Sequence, residues 1–189
     1  NNDFGQLGDG TLLGSNTAIQ IAGLTDIVAI GAGQYSSYAI DVNGDLFVWG
    51  NNSNGQLGLG DFNNRLVPTV ATLENIISVQ GGANHTVFLN NNNEAYTSGG
   101  NAYGQLGLNN QTPTAIPKKV ELQGVNMIAA GQYSTLFKRT DHSVFGSGSN
   151  TENQIAPVSD TTILLPTHIE TLEGVSFVEA SRVSSHFIY

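Results

Sequence analysis

A four-residue motif, Gly-Gln-Leu-Gly, recurs through this chain at a nearly fixed interval. It stands at residues 5–8, 55–58 and 104–107, and a degenerate copy, Asn-Gln-Ile-Ala, stands at 153–156. The successive copies are 50, 49 and 49 residues apart. A period of that size indicates an array of one supersecondary unit, whose copies bury their apolar faces against one another. We therefore expect a single repeat array over residues 1–189, in which most recurring residues serve the scaffold.

Other landmarks recur in the same frame and predict β-strands. In each unit a strand-like apolar run leads to a small residue, and the units that follow the first share one proline position. The small residues are Gly33, Gly82, Gly131 and Ser181, and the prolines are Pro68, Pro117 and Pro166. Asn43-Gly44 between two apolar runs predicts a β-hairpin with a type I′ turn. Because no segment has a helical period over a useful length, we expect an all-β fold with about four short antiparallel strands per unit.

Composition excludes several classes of site. The net charge is −9 and there are only six Lys and Arg among 189 residues, so a large phosphate-binding surface is disfavoured and we expect no direct contact with nucleic acid. The absence of cysteine excludes disulfides and thiolate chemistry but fits a cytoplasmic and a secreted protein equally well. No apolar run approaches the roughly 20 residues of a membrane-spanning helix, so we expect no membrane span.

No motif points to catalysis or to a cofactor. The four histidines show no metal-ligand spacing, and neither a Gly-x-Ser-x-Gly elbow nor a phosphate-binding glycine loop occurs. The carboxylates are spread over the units and fall mostly in turns. We therefore expect a protein that is not an enzyme and has no catalytic, cofactor-binding or metal-binding residues.

Residues 49–61, Trp-Gly-Asn-Asn-Ser-Asn-Gly-Gln-Leu-Gly-Leu-Gly-Asp, with Gly-Ala-Asn-His-Thr at 82–86, resemble the regulator of chromosome condensation repeat. The resemblance covers the whole chain. It implies a β-propeller, usually of seven four-stranded blades around a central shaft, which needs about 350 residues. This chain would supply about 3.7 repeats and resembles a segment of such a ring, truncated at both ends, with the remaining blades as partners. The alternative is that four units close on themselves, with a strand absent or supplied by another molecule.

Positions that vary between repeats are the candidates for partner contact, because scaffold positions recur. Aromatic, amide and arginine side chains at such positions have the composition of protein-binding surfaces. His85 also stands out, since the other units have serine at its position; the resemblance implies that this position lies by the shaft and bonds to backbone. The predicted partner-binding residues are Tyr35, Phe62, Arg65, Asn84, His85, Tyr103, Tyr133 and Arg182.

The favoured function is a non-enzymatic interaction module that presents propeller loops to a protein partner. The resemblance implies two alternatives: a guanine-nucleotide exchange factor for a Ran-type small GTPase, and a secreted protein that inhibits an enzyme. In the family's founding member an inserted β-hairpin forms the wedge for exchange, and the uniform intervals of this chain leave no room for one. Ultraviolet sensing by clustered tryptophans is excluded because Trp49 is the only tryptophan.

Overall fold

The computed structural model describes residues 1–155, 160–170, 172, 174–181 and 184–189. Within these residues the regular structure consists of β-strands, and no helix is long and apolar enough to cross a membrane. The strands are β1 (Ile27–Ala32), β2 (Ser36–Asp41), β3 (Leu46–Gly50), β4 (Arg65–Val70), β5 (Ile76–Gly81), β6 (His85–Asn90), β7 (Ala95–Gly99), β8 (Thr114–Lys119), β9 (Val125–Ala130), β10 (Ser134–Arg139), β11 (Val144–Ser149), β12 (Thr162–His168), β13 (Phe177–Ala180) and β14 (Ser185–Ile188).

The strands form successive antiparallel sheets in chain order. Strands β1–β4, β5–β8 and β9–β12 form three four-stranded sheets, here called blades 1, 2 and 3, and β13 with β14 forms blade 4. The first strand of each blade contacts the first strand of the next, so that β1, β5, β9 and β13 line a common axis. This is the arrangement of a β-propeller, and the predicted fold class is confirmed.

The hydrophobic core lies between blades. Tyr38 and Ile40 of blade 1 pack with Val79 and Phe88 of blade 2 in one buried cluster. A second cluster joins blades 2 and 3, and a third joins blades 3 and 4. Each blade therefore depends on its neighbour for burial of its faces, as expected for a repeat array.

Backbone hydrogen bonds link the small-residue corners around the axis. The Gln34 N–H donates to the Gly82 carbonyl at 3.1 Å, the Ala83 N–H to the Gln132 carbonyl at 3.2 Å, and the Gln132 N–H to the Ser181 carbonyl at 3.3 Å. Each bond joins one blade to the next. These bonds fix the corners of neighbouring blades relative to one another.

The predicted hairpin at Asn43-Gly44 is present, but its turn is not type I′. A type I′ turn requires positive φ at both central residues, and here only Gly44 has it, at +82°. The Asp41 carboxylate accepts hydrogen bonds from the N–H groups of Asn43 and Asp45 at 2.8 and 3.0 Å and closes the turn from its side chain. Asn93 and His142 occupy the position of Gly44 with φ of 61° and 68°. The turn therefore needs one left-handed residue, which Gly, Asn or His supplies.

The Gly-Gln-Leu-Gly segment is a tight turn, as its residue types predict. Gly55 and Gly58 have φ of +82° and +69°, and Leu57 is fully buried in the cluster between blades 1 and 2. The Gln56 side-chain oxygen accepts a hydrogen bond from the Asn54 N–H at 2.9 Å. In the degenerate copy Asn153 takes the left-handed conformation, with φ of 55°; the last residue of that copy lies outside the described residues.

Candidate partner-binding face

Pairs of side chains from two different loops lie side by side at the blade corners. Phe4 and Tyr35 have ring centroids 5.0 Å apart, and Tyr103 and Tyr133 have ring centroids 4.8 Å apart. Between these aromatic pairs, at the equivalent positions of the repeat, stand Asn54 and Asn84. We call the three pairs the corner face; they are Phe4 with Tyr35, Asn54 with Asn84, and Tyr103 with Tyr133.

Main-chain bonds hold the corner face in place. One member of each pair follows the small-residue corner, and its carbonyl accepts a hydrogen bond from the chain at the end of the third strand. Tyr35 accepts from Asn51 and Tyr133 from Ser149, both at 2.8 Å. The other member immediately precedes the Gly-Gln-Leu-Gly turn. Because both anchors belong to the repeat scaffold, the side chains can vary while their positions stay fixed.

A cleft of about 270 Å³ lies between the asparagine pair and the tyrosine pair. Its lining is uncharged and consists of side chains from both pairs together with Gln111, Pro113 and neighbouring backbone. Tyr103 is 40% exposed at its edge. The structure thus brings together three of the predicted site residues, Asn84, Tyr103 and Tyr133, in one concave surface.

Phe62 and Arg65 lie in and beside the loop that follows the second Gly-Gln-Leu-Gly turn. Phe62 is 57% exposed. The Arg65 guanidinium forms an ion pair with Asp61 at 2.6 Å and also donates to the Asn63 carbonyl. The hydrogen bond from Arg65 lowers the pKa of Asp61. Much of the Arg65 hydrogen-bonding capacity is therefore used within its own loop, whereas Phe62 offers an open apolar surface.

His85 lies beneath the corner face, between blades 2 and 3. It is 1% exposed, and its Nε2 atom lies 3.0 Å from the Thr135 hydroxyl. Burial lowers its pKa to about 4, an effect that the nearby Ser134 backbone partly offsets. The structure places His85 as a link between blades, where a partner docking on the surface does not reach it.

The remaining candidate, Arg182, lies outside the described residues. A second cleft, of about 420 Å³, opens at the axis between the corners, where Gln34, Gly82, Gly131, Gln132 and Ser181 contribute to its lining. Among the described residues no group of three or more His, Asp or Glu side chains could hold a metal ion.

Sequence reasoning missed an asparagine that stands three residues before each copy of the turn. Asn52 accepts a hydrogen bond from the Leu57 N–H at 2.9 Å and donates to the Asp61 carbonyl at 2.9 Å. The other copies repeat the first of these bonds, from Leu7 to Asn2, from Leu106 to Asn101 and from Ile155 to Asn150. The asparagine ties the turn to the loop that follows it, and its fixed spacing was the signal that could have identified it.

Two sequence models of the regulator of chromosome condensation (RCC1) repeat match the chain. One matches residues 43–89 and 92–137, and the other matches residues 27–56 and 76–105. Together they cover more than half of the sequence. The matched segments contain all strands of blades 1 and 2 and, in blade 3, β9 and most of β10. They include the corner residues Asn84, Tyr103 and Tyr133.

Among proteins of known name, the chain is 46% identical over 44 residues to the Regulator of chromosome condensation of Drosophila melanogaster, a match to 23% of this chain and 8% of that protein. It is 40% identical over 72 residues to the human Probable E3 ubiquitin-protein ligase HERC4, a match to 36% of this chain and 7% of that protein. It is 41% identical over 68 residues to the Ultraviolet-B receptor UVR8 of Arabidopsis thaliana, covering 35% and 16%. The matches thus span a small part of each relative.

Solved structures with the same fold include yeast and human proteins. Prp20p from Saccharomyces cerevisiae, a protein described together with its binding properties to Gsp1p and histones, matches with a TM-score of 0.78 at 18% identity, over 86% of this chain and 43% of its own. Human WBSCR16 matches with a TM-score of 0.74 at 23% identity, over 86% and 44%. The chain therefore has the fold of these propellers and spans less than half of their length.

Proposed function

Because the chain belongs to the regulator of chromosome condensation (RCC1) repeat family, we propose that it is a non-enzymatic interaction module that presents its corner face to a protein partner. The observation that carries the proposal is the row of paired aromatic and amide side chains, fixed by the scaffold at the repeat's variable positions. Rigid aromatic rings with adaptable amides bind proteins at low entropic cost. Phe62, with its open apolar surface, extends this contact area.

A binding experiment with matched variants tests the corner face. Protein partners captured by the wild-type chain are compared with those captured by Tyr35→Ala, Phe62→Ala and Tyr133→Ala. The control is Val42→Ser, because Val42 is also exposed, at 63%, but lies in the hairpin turn after β2. We expect each of these three variants to bind the partner at least tenfold more weakly and the control to bind it as the wild type does. Equal loss in Val42→Ser, or no partner at all, contradicts the proposal.

An exposed apolar face of blade 1 supports the proposal that the remaining blades of a ring are further partners. Ile30 is 80% exposed, whereas Val79, Ile128 and Val178 at the equivalent positions of blades 2, 3 and 4 are 2%, 4% and 2% exposed. Those three pack against the preceding blade. The face around Ile30 has the same chemistry and fits the same neighbour, a blade of this repeat type.

A pair of equivalent substitutions tests that neighbour. In this chain we expect Val79→Ser to lower the free energy of unfolding by about 1 to 3 kcal/mol and Ile30→Ser by a few tenths, since only Val79 is buried. In a chain that carries the neighbouring blade, the two substitutions have similar costs. If Ile30→Ser remains neutral there, the face takes no blade.

Nucleotide exchange on a Ran-type GTPase is the second candidate function. Its support is the fold shared with Prp20p, a protein whose binding to Gsp1p is described. Exchange requires a large face that stabilises the nucleotide-free GTPase and needs no catalytic side chain. Release of a fluorescent guanine nucleotide from a Ran-type GTPase measures it directly. If a saturating concentration of this protein does not accelerate nucleotide release, exchange activity is rejected and the proposed interaction module is unaffected.

A further inference from the structure

The cleft between the asparagine and tyrosine pairs combines an unpaired amide with an aromatic wall. The cleft has a volume of about 270 Å³ and no charged side chain in its lining. An uncharged lining disfavours phosphates, carboxylates and ammonium groups, because their desolvation would go uncompensated. The volume accommodates one side chain and an adjoining peptide group and leaves little space for more.

Asn84 supplies the polar group of the cleft. Its carboxamide is partly buried and makes no hydrogen bond to any residue that the structure describes, although its main-chain carbonyl accepts one from Gly100 at 2.7 Å. Each of the neighbouring amides already donates one hydrogen bond, Gln111 to the Ala102 carbonyl at 2.7 Å and Asn54 to the Ser53 hydroxyl at 3.3 Å. A carboxamide offers donors and an acceptor side by side. A peptide group, with one N–H and one C=O, is its natural complement.

Tyr103 and Tyr133 form the apolar wall. Their rings lie 4.8 Å apart with an angle of 35° between the planes, so that each ring covers part of one face of the other. The backbone N–H of Tyr103 donates to the Gln105 side chain at 2.9 Å, which holds the start of the turn. The wall is therefore rigid before a ligand arrives, and contact with it costs little conformational entropy.

We propose that this cleft binds one residue of an extended segment of a partner protein. An uncharged apolar side chain, such as proline or leucine, packs against Tyr103 and Tyr133, and the adjoining peptide group pairs with the Asn84 carboxamide. The proposal rests on the proposed function as an interaction module and names the chemistry of the segment that is recognised. A peptide places an apolar side chain and a peptide group side by side, which matches the aromatic wall beside the Asn84 carboxamide.

Capped single amino acids are the probes that test the cleft. N-acetyl-proline-N-methylamide and N-acetyl-leucine-N-methylamide are titrated into the isotope-labelled protein, and the side-chain amide signals of Asn84 are followed by NMR. We expect saturable shifts at Asn84 and at both tyrosine rings, with affinities on the order of millimolar for such small ligands. Methyl β-glucoside serves as the saccharide probe and is expected to leave these signals unchanged.

Variants locate the interaction. Asn84→Ala and Tyr103→Ala are expected to weaken binding of the capped amino acids at least fivefold, whereas Tyr35→Ala, which removes an aromatic residue from another corner, leaves it unchanged. Tyr103→Leu, which keeps bulk at the position, replaces Tyr103→Ala if that variant unfolds. The proposal is overturned if the probes leave Asn84 unshifted, if the glucoside shifts it instead, or if Tyr35→Ala weakens binding equally.

The outcome separates this proposal from the broader function. If Tyr35→Ala or Phe62→Ala loses a protein partner and the probes leave the Asn84 signals unshifted, the cleft proposal is rejected. The proposed interaction module is then still supported. If the probes bind at Asn84 but no protein partner is captured, the inferred chemistry of the cleft is supported and the proposed interaction module is rejected.

Discussion

The Nε2 atom of His85 lies 3.0 Å from the Oγ1 atom of Thr135, 50 residues further along the chain and in the next blade. The Thr135 hydroxyl donates its own proton to the Gln105 carbonyl at 2.7 Å. Its oxygen therefore accepts from His85, which places the imidazole proton on Nε2. At Nδ1 no described group meets hydrogen-bonding geometry. The neutral ring thus links two blades in the interior, and protonation would place a charge there without an ion pair to any described residue.

This link predicts a loss of stability in mild acid. Burial lowers the pKa of His85 to about 4 from its ordinary 6.5. Above pH 6.5 neither state binds the proton and stability is full; as pH falls to 4, the unfolded chain takes up a proton that the folded chain does not. We expect the free energy of unfolding to fall by up to about 3 kcal/mol over that interval on account of His85. Denaturant titrations at several pH values measure it.

His85→Gln is the matched control for this pH dependence, because glutamine can still donate to Thr135 and does not titrate. Its free energy of unfolding should depend less on pH between 6.5 and 4 than that of the wild type. Equal pH dependence in the two proteins would show that other groups are responsible.

Between blades 1 and 2 a tyrosine takes the corresponding linking role. The buried Tyr38 hydroxyl lies 2.7 Å from the Ser36 hydroxyl and 2.6 Å from the Thr86 hydroxyl, and burial raises its pKa to about 12. We expect Tyr38→Phe to cost about 1 to 3 kcal/mol, because two buried hydroxyls lose a partner. Tyr96→Phe, at a less buried hydroxyl bonded to Glu94, should cost less. Equal losses of thermal stability in the two variants contradict this assignment.

The repeat period predicted the fold because burial between blades is a property of every unit. Strands, hairpins and the Gly-Gln-Leu-Gly turn each depend on a few neighbouring residues, and Gly55, Leu57 and Gly58 stand where such a turn requires them. The prediction of a type I′ turn at Asn43-Gly44 was wrong. The Asp41 side chain closes the loop, and positive φ at Asn43 is therefore unnecessary.

The corner pairs could not be predicted in the same way. Tyr103 and Tyr133 are 30 residues apart in the chain, and their contact depends on how the turn of one blade meets the corner of the next. Sequence position identified both as variable residues but gave no distance between them. Nor did it show that Arg65 is engaged by Asp61, since an ion pair in a loop depends on the loop's path.

The turn glycines offer a test that separates backbone strain from steric exclusion. Gly55 has φ of +82°, and an added Cβ would lie 2.5 Å from the Cα of Ala115. Gly23 has nearly the same φ, +81°, but nothing lies within 4 Å of its added Cβ. We expect Gly23→Ala to cost about 1 kcal/mol from strain alone and Gly55→Ala to cost about 3 kcal/mol or more, because backbone must move. Urea unfolding measures both losses of stability. Equal losses would show that the backbone around Gly55 moves to admit a Cβ atom at no additional cost in free energy.

Lys138 breaks the apolar pattern between blades and predicts a stabilising substitution. It is 4% exposed, and its ammonium group lies 3.2 Å from the Asn126 side-chain oxygen without an ion pair to any described residue. Blades 1 and 2 have the buried Ile40 and Leu89 at this position. A buried charge with a neutral partner costs free energy that an apolar side chain of similar volume does not.

We therefore expect Lys138→Leu to raise the free energy of unfolding by about 1 kcal/mol, a typical gain for restoring a repeat's prevailing residue. Lys118→Leu, on an exposed position of β8, is the control and should change stability by no more than about 0.5 kcal/mol. Denaturant unfolding at pH 7 compares the three proteins. A loss of stability in Lys138→Leu would mean that the bond to Asn126 contributes more than the burial of the charge costs.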